Sequence, residues 1–151
     1  RPRLRKTTTM REIKFRGRSF DNGEWIYGDY HKRAEGVHCI IKIEPDENGK
    51  VVYVVHQAVP DTIGQFTGLL DKNGKEIYEG DIVSTSNYGK DIEIGNQIKN
   101  VSGSQLYEVK MLLCNFVLDS KYRSHYLIYY KDYEVIGNIH DNPELLKEGG
   151  E

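Results

Sequence analysis

The amino-acid sequence predicts a mainly β protein. Short runs of β-branched and aromatic residues, bounded by Gly, Asn and Asp, recur along its 151 residues, and such runs are typical of strands. Long helical periodicity is nearly absent. A chain of this length can bury roughly two-thirds of its unfolded surface, so it needs no disulfide or metal to fold. No apolar run approaches the roughly 20 residues of a membrane-spanning helix, so we expect no membrane partner.

The first predicted strand is basic. Residues 11–18 alternate between apolar and charged side chains, and a strand over residues 24–32 follows. Asn22-Gly23 lies between the two strands and is a strong hairpin signal, because both residues tolerate positive φ. Clustered cations on an early strand are one way in which proteins protect a sheet edge. We therefore expect residues 11–18 to form an edge strand.

A second hairpin is predicted from residues 37–44 and 51–55, joined across the polar residues 45–49. Both arms are nearly continuous apolar stretches. Strands of that kind are usually buried on both faces, so this hairpin is expected at the centre of the sheet.

The middle of the chain contains turns and one long polar segment. A short strand is predicted over residues 63–67, and the polar turn 71–75 precedes a second turn at 79–81. At that second turn, Gly80 supplies an unusual φ and Asp81 can bond the turn backbone. Residues 84–105 are rich in Ser, Asn and Gly, so they predict a long loop or a solvent-exposed hairpin.

The last third is again β. Residues 106–118 form the longest strand candidate, with a bulge or sharp bend expected near Asn115. Strands are predicted over 126–130 and 133–139. The chain then closes with one helical turn, for which Asn142 is a suitable N-cap and Pro143 a suitable first residue; Leu145 and Leu146 should dock inward.

No signature of catalysis or metal binding is present. The sequence lacks GxSxG, GxGxxG, Walker A and HExxH motifs, and its five His residues show no ligand spacing. Cys39 and Cys114 lie inside apolar runs and are expected to be buried thiols. We therefore nominate no catalytic residue, no metal ligand and no cofactor.

The basic strand is the candidate nucleic-acid contact. It concentrates four cations in eight residues: Arg11, Lys14, Arg16 and Arg18. Without residues 1–9, however, 17 basic side chains face 23 acidic ones, a balance of −6. An acidic body disfavours a large phosphate-binding surface, so nucleic acid is a possible but not a favoured partner.

A tyrosine-rich segment is the candidate protein interface. Its aromatic residues suit strand packing or association with another chain better than base stacking in an acidic protein. The interface residues nominated are Tyr126, Ile128, Tyr129 and Tyr130. We expect a homo-oligomer, most simply a dimer, with part of residues 106–118 or 126–139 in the contact. The alternative is that this strand is buried inside one chain.

The chain is expected to form a single domain over residues 10–147. Residues 1–9 precede Met10, a credible natural start, and are expected to be a disordered leader or a cloning remnant; residues 148–151 form a tail. The polar segment 84–105 belongs to the same domain.

Three blocks of sequence resemble one protein family. Residues 11–16 read REIKFR, residues 67–83 contain TGL followed by DKNGKEIYEGDIV, and residues 133–145 contain YEVIGNI followed by NPEL. In this order they are similar to the YopX family of phage and prophage proteins. The resemblance implies a bacterial or phage source, a cytoplasmic protein and a fold with an SH3-type small β barrel, to which additional strands and the short C-terminal helical turn are added. It implies no catalytic residues.

The favoured hypothesis is therefore a phage- or prophage-encoded, non-catalytic accessory or interaction protein in the bacterial cytoplasm. Its partner would be a second copy of the chain or an unidentified phage or host protein. Two alternatives stay open, a nucleic-acid-binding β-barrel module and an enzyme with an unrecognised site.

Overall fold

The computed structural model describes residues 12–85, 92–94, 97–99, 105–112, 115–120, 124–126 and 132–147. Within them the chain forms strands and two 3-10 turns, Pro60–Thr62 and Pro143–Leu146, and no α-helix. The strands are β1 (Phe15–Arg18), β2 (Trp25–Lys32), β3 (His38–Pro45), β4 (Val51–Gln57), β5 (Gly64–Leu70), β6 (Glu76–Tyr78), β7 (Asp81–Thr85), β8 (Ile92–Ile94), β9 (Gln97–Lys99), β10 (Gln105–Leu112), β11 (Asn115–Asp119), β12 (Ser124–Tyr126) and β13 (Tyr133–Asn138). The mainly β prediction is confirmed.

The first sheet has the order β4-β3-β2-β1-β5-β6, and its pairs are antiparallel. In β1, Phe15 lies opposite Gly28 of β2 on one side and Gln65 of β5 on the other. The basic strand is therefore interior, and the prediction of a charged edge is wrong. The physical reason is that its described cations form ion pairs with carboxylates of the same chain. These pairs replace part of the hydration that an exposed edge would give the cations.

The apolar hairpin lies at the opposite end of this order. β3 pairs with β4 from Cys39 opposite Gln57 to Pro45 opposite Val51, and β4 is the last strand of the sheet. The sheet curls so that Ser19, just after β1, forms a bridge with Ala58, just after β4. The prediction of a central hairpin covered on both faces is wrong, because its apolar run continues on the outer face of the curled sheet.

The second sheet has the order β12-β11-β10-β7-β13. The strand candidate over 106–118 divides into β10 and β11, which pair as a hairpin with Leu112 opposite Asn115 and Met111 opposite Phe116. The sharp bend expected near Asn115 is therefore confirmed, while a single long strand is not found. Positions 113 and 114, which lie outside the described residues, are Leu and Cys in the sequence, so the sequence carries no polar turn signal there. Both sheets remain open, and the pairings among the described strands do not close a barrel.

The polar segment 84–105 is partly an antiparallel hairpin. β7 extends to Thr85, β8 pairs with β9, and β10 begins at Gln105. Of the two structures predicted for this segment, the hairpin is the one found in its described part.

Two clusters of buried residues hold the sheets. The first sheet buries Ile26, Ile40 and Ala58 on its inner face. The second cluster belongs mainly to the second sheet and consists of Ile77, Val83, Tyr107, Val109, Leu118, Tyr133 and Val135. Ile77 comes from β6, so the hairpin β5–β6 contributes side chains of the first sheet to the core of the second.

The C-terminal helical turn is present but is held differently from the prediction. Asn142 occupies the N-cap position without a side-chain capping hydrogen bond, and Leu145 and Leu146 are only half-buried. None of the described residues forms a helix long and apolar enough to cross a membrane.

Candidate functional site

The cations of the basic strand are engaged in ion pairs. Lys14 Nζ lies 2.8 Å from Glu76 Oε1, and Arg16 Nη2 lies 2.6 Å from Asp81 Oδ1. Arg18 pairs with Asp141. Arg11 lies outside the described residues. The three described cations nominated for nucleic-acid contact are thus neutralised by carboxylates of the same chain, which leaves little net charge to attract phosphate.

The Arg16–Asp81 pair is the buried link between the two sheets. The side chains of Arg16 in β1 and Asp81 in β7 are 7% and 2% exposed. The guanidinium lies over the rings of Trp25, at 4.7 Å, and Tyr78, at 5.0 Å. Burying two charges is costly unless the ions pair closely and their remaining polar atoms are bonded. Arg16 Nη2 also donates to the Glu79 carbonyl at 3.3 Å, whereas Arg16 Nε has no hydrogen-bond partner among the described residues. The close ion pair and the stacking on two aromatic rings therefore offset most of that cost.

Asp81 also organises the turn that precedes it. Its Oδ2 accepts a hydrogen bond from the backbone N–H of Tyr78 at 2.8 Å, as the sequence predicted for this residue. Gly80 has φ of +83°, which places it in the left-handed region that favours glycine. Burial raises the pKa of Asp81, while Arg16 and the Tyr78 amide oppose that rise. Both carboxyl oxygens of Asp81 are thus engaged, Oδ1 by Arg16 and Oδ2 by the Tyr78 amide.

A second polar node joins the first sheet to the C-terminal turn. Asp141 Oδ2 accepts hydrogen bonds from Trp25 Nε1 at 2.9 Å and from Asn138 Nδ2 at 2.8 Å. The ring of His140 lies 5.8 Å from that of Trp25. Burial, followed by the charges of Arg16 and Arg18, lowers the pKa of His140. Sequence reasoning missed this cluster. Trp25 and Asp141 can each form side-chain hydrogen bonds and each lie near a turn, but nothing in the sequence shows that they meet.

A third polar link attaches the hairpin β5–β6 to β13. Asp71 Oδ1 accepts from the backbone N–H groups of Asn73 and Lys75, at 2.8 and 2.9 Å, and its Oδ2 accepts from Val135 at 2.9 Å. Burial raises the pKa of Asp71, but these three donors outweigh it and hold the pKa below its usual value. In the block of residues 71–83, which carries the family resemblance, Asp71 and Asp81 therefore each form contacts that join the two sheets.

These polar clusters show no arrangement for metal binding. Within the described part of the chain, no group of three or more His, Cys, Asp or Glu residues is placed to hold a metal ion. Cys39 is buried and free, as predicted, and Cys114 lies outside the described residues.

The largest unexplained feature is an apolar surface on β3 and β4. Residues directly opposite each other in an antiparallel pair share one face of the sheet. The register therefore places six apolar side chains on one face: Ile41 with Val55, Ile43 with Tyr53, and Pro45 with Val51. We call these six residues the hairpin face. Four of them are well exposed, with Ile43 at 58%, Val51 at 62%, Tyr53 at 70% and Val55 at 46%.

Such a surface is unusual on a protein that works alone. Single exposed apolar residues are common, but contiguous apolar patches mark contacts with other molecules. None of the six residues of the hairpin face is charged. The hairpin face is therefore the candidate binding surface of the described structure, and sequence reasoning missed it because the continuous apolar run indicated burial.

The predicted tyrosine interface is only partly described. Tyr126 ends β12, which lies at the edge of the second sheet, while Ile128, Tyr129 and Tyr130 lie outside the described residues. β10, also nominated for the contact, pairs with β7 on one side and β11 on the other, so it offers no open edge.

Comparison with known proteins gives a family and a fold. A family model described as YopX protein matches residues 14–147. Among solved structures, the chain is similar to the crystal structure of protein EF1440 from Enterococcus faecalis, with 24% identity and a TM-score of 0.51. That alignment covers 91% of this chain and 99% of the other. At this identity the likeness concerns the fold alone. None of the curated proteins compared with the chain matches it.

Proposed function

Since this chain belongs to the YopX family, we propose that it is a phage- or prophage-encoded, non-catalytic accessory protein that acts in the bacterial cytoplasm by binding another protein. The observation that carries the proposal is the hairpin face, whose side chains are apolar, adjacent and exposed. Apolar contact area is what a protein partner can bury, and burial of such area drives most protein association.

The charge of this region favours a protein partner over a nucleic acid. A nucleic-acid surface needs several cations positioned for phosphates, but the hairpin face has none, and the nearest side chain across from Ile41 is the acidic Asp29. The described cations of residues 11–18, which are Lys14, Arg16 and Arg18, are paired and lie elsewhere. We therefore propose a partner that presents an uncharged, apolar protein surface.

The SH3-type barrel is part of the same proposal. In the second sheet β10, β11 and β12 follow one another as a meander, and the last strand, β13, returns to pair with the first, β7. This strand order supports an SH3-type arrangement for that half of the chain. Small barrels of this kind serve many unrelated functions, so the fold by itself selects none of them.

Site-specific photo-crosslinking in host cells tests the proposal. A photoreactive residue at position 43 should form an adduct with a polypeptide other than this chain, while the same residue at position 48, in the turn of the same hairpin, should not. The polypeptide identified by mass spectrometry is then purified and its binding measured directly.

The binding measurement decides between a specific face and incidental contact. Ile43→Lys should weaken binding at least tenfold, because it places a charge in an apolar contact. Asn48→Lys adds the same charge to an exposed turn position and should leave the affinity unchanged. Absence of an adduct at position 43, an adduct of the chain with itself alone, or equal affinity of the two variants would overturn the proposal.

A further inference from the structure

The outer edge of β4 is open over a short and defined stretch. In an antiparallel pair, alternate residues direct their N–H and C=O groups toward the partner strand. Asp46 N–H donates to the Lys50 carbonyl, and Ala58 N–H donates to the His38 carbonyl, each at 2.8 Å. The register between these two bonds is unbroken. The even-numbered residues of β4 therefore bond to β3, and the odd-numbered residues direct their backbone groups outward.

One end of this outer edge is already occupied. The carbonyl of Gln57 accepts a hydrogen bond from Phe20 N–H at 2.9 Å, where the sheet curls back on itself. Among the described residues, no backbone hydrogen bond is formed on the outer side of Val51, Tyr53 or Val55, and β4 is the last strand of its sheet. The open stretch thus runs from Val51 to Val55, and Tyr53 is its midpoint.

This open stretch lacks the usual protection of a sheet edge. Edge strands are normally shielded by charged side chains, Pro or bulges. Residues 51–55 read Val-Val-Tyr-Val-Val, with no charge, Pro or Gly. The segment is also symmetric about Tyr53, so that in an antiparallel pair with its own copy every residue meets an apolar residue.

We infer that two copies of this chain pair through β4 as antiparallel strands, with Tyr53 opposite Tyr53 on a two-fold axis. In this register Val51 of one copy lies opposite Val55 of its partner copy. The three outward-facing residues of each copy then exchange backbone hydrogen bonds, six in all by this geometry. The contact is isologous, as two-fold symmetry requires, and it closes the edge without forming an open polymer.

The inference goes beyond the proposed function and is independent of it. Two-fold pairing of edge strands keeps the same face of both sheets on the same side. The two copies would therefore join their hairpin faces into one continuous apolar surface, and that surface remains available for the partner protein. The homo-oligomer expected from the sequence is thereby assigned to β4, away from residues 106–139.

Cysteine pairing tests the register on the full chain. Residues directly opposite in an antiparallel pair have Cα atoms about 5.5 Å apart, within the range for a disulfide. Under mild oxidation Tyr53→Cys should form a covalent dimer. Val51→Cys alone should not, since its copies lie about 13 Å apart in this register, but a mixture of Val51→Cys and Val55→Cys should. Wild-type protein controls for Cys39 and Cys114.

A charge swap tests the two-fold axis without covalent bonds. By light scattering after size-exclusion chromatography, wild type should have twice the 17.4 kDa of one chain. Tyr53→Lys and Tyr53→Glu should each be monomeric, because like charges meet on the axis, and their equimolar mixture should recover the dimer. Ile43→Lys should remain dimeric while losing the partner protein, which separates this inference from the proposed function. A monomeric wild type, or equal cross-linking of Tyr53→Cys and Val51→Cys, would overturn it.

Discussion

One face of the first sheet has opposite character at its two ends. Over β1 and β2 it carries Arg16 and Arg18 opposite Tyr27 and Trp25, and the turn before β7 and the C-terminal turn cover it. Over β3 and β4 the same face carries the apolar hairpin face and is exposed. At the charged end Arg16 is therefore buried and Arg18 is only 32% exposed, whereas the apolar end is outside.

The difference shows that whether a side chain is buried depends on the groups that pack against it or neutralise it, and not on its hydrophobicity alone. Arg16 is buried because Asp81 neutralises it and two aromatic rings stack on it, so the second sheet can pack there. The hairpin face is uncovered because the covering elements stop near Tyr27, which contacts Tyr78 and is itself 41% exposed. A charged side chain can thus mark an internal junction, and an apolar run can mark a binding surface.

Removal of the buried cation, Arg16, is expected to have the largest effect on stability and therefore tests the difference between the two ends most strongly. Arg16→Ala leaves Asp81 buried without its counter-ion, and we expect the free energy of unfolding to fall by about 3–5 kcal/mol. Denaturant unfolding measures the change. Arg33→Ala, at an exposed position of a turn, is the control and should lie close to wild type. A loss below about 1 kcal/mol for Arg16→Ala would mean that the pair is solvated like a surface ion pair.

A second, smaller loss is expected at Asp71, which links the hairpin β5–β6 to β13. Asp71→Asn weakens the acceptor of three backbone N–H groups and should cost about 1–3 kcal/mol at pH 7. The pKa of Asp71 in the folded state lies below its usual value of 3.8. Its contribution to stability is therefore complete above that value and is lost as the pH falls through the folded-state pKa.

The pH dependence of the free energy of unfolding distinguishes ionised Asp71 in the wild type from the neutral Asn in Asp71→Asn. Between about pH 5 and pH 2 the stability of wild type should fall more steeply than that of Asp71→Asn, so that the two curves converge in acid. Parallel curves would contradict the role of ionised Asp71 in joining β13 to the hairpin β5–β6.

Substitution in the turn that precedes Asp81 is expected to cause the next largest loss of stability. Gly80 has positive φ, and a β-branched residue there costs about 1–2 kcal/mol in backbone strain. An added Cβ would meet Ile139 Cγ1 at an ordinary 3.6 Å, so Gly80→Val is expected to act through conformation and not through a clash. Gly80→Ala should show most of the same loss in a thermal melt. Equal melting temperatures for the variants and wild type would show that this turn relaxes freely.

The smallest effect is expected on the hairpin face. Tyr53→Thr removes a large aromatic ring from an exposed strand position, yet it should change the stability of the monomer by no more than about 0.5 kcal/mol. Unfolding below the concentration at which the chain associates measures it. A loss as large as that of Arg16→Ala would mean that the ring packs inside the chain.

The sequence predicted where the strands lie better than which strands pair with each other. Apolar runs and turn residues located β2, β3, β4 and the C-terminal turn, because these signals act over a few residues. Strand order depends on which distant residues pair. Nothing local to Arg16 or Asp81, 65 positions apart, shows that they meet. The bend near Asn115 was predicted, but not that the two halves of residues 106–118 pair as antiparallel strands, since residues 113 and 114 give no polar turn signal.

The candidate surface was the least predictable part. A continuous apolar run is compatible with a central strand and with an exposed hairpin, and only the position of the covering elements separates the two. The four cations of residues 11–18 were equally ambiguous. The acidic partners of Lys14, Arg16 and Arg18 are distant in sequence, so the strand resembled an exposed basic patch.

The central claim, that the apolar hairpin is outside and the charged strand inside, is tested most directly by hydroxyl-radical footprinting of the purified protein. Tyr53 is 70% exposed and Tyr78, which lies against Arg16, is 2% exposed. Pairing of two copies through the β4 edge leaves the ring of Tyr53 on the open face. We expect Tyr53 to be oxidised at least tenfold faster than Tyr78 in the native protein, with similar rates once the chain is unfolded. Equal protection of the two residues in the native state would contradict the account.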